Sequence, residues 1–180
     1  MSSGSLSYNC CMSSYLITGD SGSGKTSVIW ELEKRGYTAY NTDDLPVTRL
    51  ENELGQPVDW PPPPVDWSKY GWNWQEKDLR EILDSDETVF VGALASNQDR
   101  FFSWFTKIFV LLVDTETLRH RILSRTDHDF GKDPQELQNI LERHAQLQEE
   151  LLAAPGAMAI DAQRSLDSVV RDIISAIELG

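Results

Sequence analysis

Residues 19–26 read GDSGSGKT, and the pattern G-x-x-x-x-G-K-[ST] collects the groups that a chain of phosphates needs. Gly19, Gly22 and Gly24 let the backbone curl until successive N–H groups point inward at phosphate oxygens. Lys25 has the reach to bridge β- and γ-phosphates, and the Thr26 hydroxyl suits Mg²⁺. The flanks fit. Tyr15–Thr18 is a short apolar run before the loop, and from Thr26 to Arg35 the residues Val28, Ile29 and Leu32 fall on one helical face, with Gly36 as a stop. A helix starting near Lys25 adds its positive N-terminal end. A serine/glycine turn with a solvent lysine would need neither flank. The loop is therefore expected to hold a nucleoside triphosphate through Gly19, Asp20, Ser21, Gly22, Ser23, Gly24, Lys25, Thr26 and Ser27.

The remaining elements are those that must position this loop. Short apolar runs alternate with helical patterns, which predicts a parallel sheet built from βαβ units. Strands are expected at Tyr37–Asn41, Thr88–Gly92, Ile108–Val113 and Ala157–Ile160, and helices at Gln75–Leu83 and Thr115–Ser124. Asp133-Pro134-Gln135-Glu136 carries a cap, a proline at the first helical position and a glutamate three residues after the cap, so a helix should run from there to about Leu151. Leu166, Val169, Val170, Ile173, Ile174 and Ile177 line one face of a closing helix. Asp114 reads as the cap of the helix at Thr115. The stretch from Glu51 to Trp74 has no periodicity, holds Pro61 to Pro64 in a row and contains Trp60, Trp67, Trp72 and Trp74. A loop of that length inside a compact domain is usually functional or disordered, and the tryptophans argue for function.

Length and composition bound the answer. The 180 residues suit one domain, and 40% hydrophobic with 25% charged residues is ordinary for a globular protein. The net charge of −13 repels a nucleic-acid polymer over most of the surface. The longest apolar run, IFVLLV at 108–113, is strand-sized, so no membrane partner is expected. Residues 1–13 read as a polar, flexible tail rather than a secretory signal, and adjacent Cys10 and Cys11 make no disulfide framework. A cytoplasmic monomer is the expectation.

With these elements in order, the chain resembles the shikimate kinase, gluconate kinase and nucleoside monophosphate kinase group of P-loop kinases. The resemblance runs from Tyr15 to Ile177 and rests on YLITGDSGSGKTS, on YNTDDL after the second strand, on IFVLLVD-x3-LRHRILSRT and on AIDA-x2-SLDSVV. It implies a three-layer α/β P-loop NTPase domain over residues 14–180 with a five-stranded parallel sheet of order 2-3-1-4-5. It also implies ATP and Mg²⁺ as nucleotide and metal, an acceptor region after strand 2 (residues 51–75), and a lid after strand 4 (residues 125–133). In the shikimate kinase-like enzymes an Asp-x-Asp pair follows strand 2. Here the first position is Asn41 and the second is Asp43, with Asp44 an extra carboxylate that takes the metal role left open by Asn41. The resemblance also places Arg121 against the adenine face, Arg125 at the lid near the phosphates, and Gln163 on the nucleotide side. Arg119, His128 and Lys132 either help close the lid or are ordinary surface cations.

The reading from these residues is transfer of the ATP γ-phosphate to a hydroxyl of a small molecule. Lys25 and Arg125 stabilise the transferring group, Thr26 and Asp44 hold metal, and Asp43 positions or deprotonates the acceptor. Asp43, Asp44, Arg49, Trp72, Trp74 and Asn97 are the acceptor contacts; Asn97, Gln98 and Arg100 serve equally well as caps for the FFSWF segment. One rival is a nucleoside monophosphate kinase. It would need arginines in the acceptor region, where Arg49 is the only one between Arg35 and Arg80. The other is a nucleotide-binding switch or regulatory ATPase. GTPase base-reading N-K-x-D motifs are absent from the sequence. His120 and His144, each alone on a helix, are given no role.

Overall fold

The structure is a computed structural model that describes residues 13–61, 65–66, 68–85 and 87–178. The expected tail, Cys10, Cys11 and Trp67 lie outside the described residues, save for Ser13. The elements run β1 (Ser14–Thr18), α1 (Lys25–Lys34), β2 (Thr38–Asn41), a 3₁₀ turn (Thr42–Asp44), β3 (Thr48–Asn52), β4 (Tyr70–Trp74), α2 (Glu76–Leu83), β5 (Val89–Gly92), a 3₁₀ segment (Gln98–Trp104), β6 (Lys107–Leu112), α3 (Thr115–Ser124), α4 (Pro134–Leu152), β7 (Ala157–Asp161) and α5 (Leu166–Glu178).

β1, β2, β5, β6 and β7 form one parallel sheet in the order β2-β5-β1-β6-β7. Counting only these strands along the chain gives 2-3-1-4-5, as expected. Alternate strand residues feed two apolar clusters on opposite faces. Tyr15, Ile17, Phe90, Phe109 and Leu111 face α1, α3, α5 and the start of α4. Leu16, Val89, Val91, Ile108 and Val110 face α2, the Gln98–Trp104 segment and the end of α4. Helices on both faces make three layers. The sequence direction reverses across β1, so ligands are expected beyond its carboxyl end, where the glycine loop lies.

Two expectations are corrected. The stretch at 51–74 is not an aperiodic loop throughout: β3 and β4 pair antiparallel, Thr48 opposite Trp74 and Asn52 opposite Tyr70, as a separate two-stranded ribbon. The pairing partner lies too far along the chain for a tight-turn signal. Leu166, assigned to the apolar face of α5, is 38% exposed because it opens the helix before that face meets the sheet.

Candidate functional site

The glycine loop closes onto α1 as the sequence requires. Gly24 is the residue before the helix and sits at φ +105, a left-handed conformation that a side chain would strain. Ser23 N–H donates to Asp20 O at 3.0 Å and Val28 N–H to Gly24 O at 3.1 Å. Lys25 is buried, and its Nζ donates to Gly19 O at 2.9 Å and Asp20 O at 3.1 Å, so the ammonium is folded back into the loop. Burial pushes that ammonium below its ordinary range; the charges of Asp43 and Asp20 oppose the shift and Arg125 adds to it. Lys25, Asp20, Asp43 and Arg125 thus share one electrostatic neighbourhood.

Arg121 and Arg125 reach the loop from α3. Arg121 donates to Ser23 O at 2.9 Å and Ala162 O at 2.8 Å, tying the glycine loop to the turn after β7. Gln163 in that turn accepts from Thr117 Oγ1 at 3.4 Å. Arg125 donates to Ser21 Oγ at 3.2 Å and to Phe130 O, and its buried Nε has no partner among the described residues. Burial lowers both guanidinium values. His128 is likewise lowered, first by burial and then by Arg125, while Asp44 acts on it in the opposite sense. Asp114 caps α3 by accepting from Thr117 N–H at 2.7 Å, the structural part assigned to it.

Asp43 and Asp44 lie in the 3₁₀ turn beyond β2. Trp72 Nε1–H donates to Asp43 Oδ1 at 3.0 Å. Asp44 accepts from Asn41 Nδ2 at 2.6 Å, so Asn41 orients the second carboxylate of the turn. Other expected acceptor contacts are placed elsewhere. Trp74 is buried against Phe101 and Phe105, with its indole N–H bonded to Thr42 Oγ1 at 2.9 Å; it is a packing residue. Asn97 spends its amide on Trp74 N–H at 2.9 Å and Trp74 O at 3.0 Å, pinning β4. Arg49 pairs with Asp78 at 3.3 Å on the exposed side of the ribbon. Gln98 is buried and accepts from Thr18 Oγ1 at 3.2 Å.

Sequence reasoning missed His144. Its Nδ1 lies 2.8 Å from Asp20 Oδ2 and its Nε2 2.9 Å from Val113 O, while Asp20 Oδ1 accepts from Ser21 N–H at 2.7 Å. The glycine loop is thereby fastened to α4 from behind. Nothing in a one-dimensional pattern signals this, because the partners are 124 residues apart.

Strand order, glycine loop and switch point define a P-loop α/β domain. No protein-family model matches the sequence, and no curated protein is similar to it at the sequence level. Solved structures are. A deoxyadenosine kinase from M. mycoides with bound dATP superposes with a TM-score of 0.57 at 12% identity, over 91% of this chain and 98% of that one. A gluconokinase from Sinorhizobium meliloti gives 0.57 at 22%, over 91% and 90%. An unliganded sugar kinase from a Janibacter species gives 0.56 at 16%, over 92% and 94%. At these identities the shared property is the fold, which is that of P-loop kinases.

Proposed function

We propose that this protein is an ATP- and Mg²⁺-dependent phosphotransferase whose acceptor is a hydroxyl of a small molecule. The observation that carries the reading is that Lys25, on Gly19 O, and Arg125, on Ser21 Oγ, meet at the glycine loop beyond β1, with Asp43 in the turn beyond the neighbouring end of β2. Fold similarity to nucleoside, gluconate and sugar kinases supports phosphotransfer in general. In the proposed step the acceptor oxygen forms a bond to the γ-phosphorus. The bond from that phosphorus to the β–γ bridging oxygen breaks and ADP leaves. The hydroxyl proton passes to Asp43. Lys25 and Arg125 stabilise the charge on the moving group.

Mg²⁺ fits the residues present. Thr26 and Asp44 offer oxygen ligands, and among the described residues no group of three His, Cys, Asp or Glu side chains is built to hold a metal unaided. That suits an ion delivered on the triphosphate, where it neutralises phosphate charge.

Within this reading residues 51–75 form the acceptor side and residues 125–133 the lid. A hydroxyl is favoured over a phosphate because the cations of the acceptor side are engaged on its surface, Arg49 with Asp78 and Lys69 with Asp66. Thermal-shift measurements test the proposal. Mg·AMPPNP should raise the melting temperature, and Lys25→Ala should abolish the rise. Nucleosides and neutral sugars should add to the nucleotide's shift where nucleoside monophosphates do not. Equal shifts in wild type and Lys25→Ala, or additional stabilisation by monophosphates alone, contradict it.

A further inference from the structure

Glu136 stands in the first turn of α4, three residues after its cap. The spacing marks the return half of a capping box, but the structure uses the side chain otherwise. Asp133 caps the helix, accepting from Gln135 N–H at 2.9 Å and Glu136 N–H at 3.2 Å. The Glu136 carboxylate turns away from the helix. Oε2 accepts from Gly131 N–H at 3.1 Å and Oε1 from Val65 N–H at 3.1 Å. The residue is 6% exposed and has no ion-pair partner among the described residues. A carboxylate buried this way is stable only with N–H donors on its oxygens. Here one donor comes from the lid and the other from the acceptor side.

Both ends of the clasp lie in the interior. Gly131 is buried with φ +79, a left-handed conformation that a side chain would strain. Val65 is 3% exposed. The same two regions meet again where Trp60 stands edge-on to Phe130 at 6.2 Å and to Trp72 at 5.8 Å. Phe130 O accepts from Arg125, and the Trp72 indole donates to Asp43. A continuous path therefore runs from Arg125 through Phe130, Trp60 and Trp72 to Asp43, and Glu136 ties the two segments that carry it.

We propose that Glu136 is a positioning residue that joins the lid to the acceptor side, so that nucleotide binding at the lid also orders the hairpin that orients Asp43. This rests on the phosphotransferase reading above. A phosphate that draws Arg125 from Phe130 O changes the lid, and the clasp transmits that change to Val65 and β4.

Hydrogen exchange on the full chain tests it, with and without Mg·AMPPNP, in wild type, Glu136→Gln and Val65→Pro. The glutamine presents an NH₂ to one of the two N–H groups and so loses a bond; the proline removes the donor on the acceptor side together with the buried valine side chain. Nucleotide should slow exchange in wild type at both 126–132 and Tyr70–Trp74. Without ligand, Glu136→Gln should speed exchange at both segments about tenfold, the loss of roughly one charge-assisted hydrogen bond. In both variants nucleotide should then slow only 126–132. The proposal is overturned if nucleotide still slows Tyr70–Trp74 in the variants as in wild type, or if Glu136→Gln speeds exchange uniformly along the chain, as plain destabilisation would. If AMPPNP slows neither segment in wild type, the nucleotide reading fails instead. The clasp then stands or falls on whether ligand-free Glu136→Gln selectively speeds those two segments.

Discussion

Asp43 takes its orientation from an indole rather than from a cation. Trp72 and Trp74 are two apart on β4, so they share a face, and both donate their N–H to the turn after β2. Their consequences differ because Trp74 lies over the core while Trp72 lies toward the mouth of the site. Trp72→Phe keeps the ring and removes the donor. We expect about a tenfold loss of kcat with stability little changed, the scale of a hydrogen bond to a charged group. Trp74→Phe should lower the melting temperature instead and leave kcat near wild type. Steady-state rates and thermal melts on the two variants separate these outcomes. The tryptophan-rich stretch and the carboxylates beyond the second strand were both legible in the sequence. The sequence did not show which tryptophan serves which purpose, because that depends on a ribbon whose strands find each other across the proline connection.

At the scale of elements, α4 is the beam on which the site hangs. Its first turn joins Val65 and Gly131 through Glu136, its middle holds the glycine loop through His144, and Leu147 and Leu151 anchor its end in the second apolar cluster. The start of this helix was legible from Asp133 and Pro134, and its length from periodicity. The loads it carries were not, because Val65 lies 71 residues from Glu136 and Asp20 lies 124 residues from His144. His144→Ala leaves the buried Asp20 carboxylate without its imidazole partner. It should cost about 1–3 kcal/mol of stability, the usual penalty for orphaning a buried polar group. It should also weaken Mg·AMPPNP binding, since Asp20 holds Ser21 N–H in the loop. Chemical denaturation and calorimetric titration measure the two effects. Unchanged stability and affinity would leave His144 without the fastening role.

At the scale of the molecule, a net charge of −13 surrounds a site where Lys25, Arg121 and Arg125 converge. Field and fold agree: a polyanion is repelled nearly everywhere except at the glycine loop. Most of the parallel strands were legible as short apolar runs, but their order came from the resemblance to P-loop kinases, since β2 and β5 are followed by 3₁₀ segments rather than by helices. Nucleotide binding alone does not separate a kinase from a switch. Asp43 does, since a carboxylate that takes the acceptor's proton matters only for transfer. General-base catalysis contributes about 10² to 10⁴-fold. The most direct measurement is ³¹P NMR of Mg·ATP turned over with a pool of nucleosides and neutral sugars, by wild type and by Asp43→Asn. Wild type should yield a phosphomonoester resonance together with ADP, while Asp43→Asn binds ATP with similar affinity and forms the ester at least about a hundredfold more slowly. Inorganic phosphate as the only product in wild type, or the same ester at the same rate from both proteins, would contradict the account.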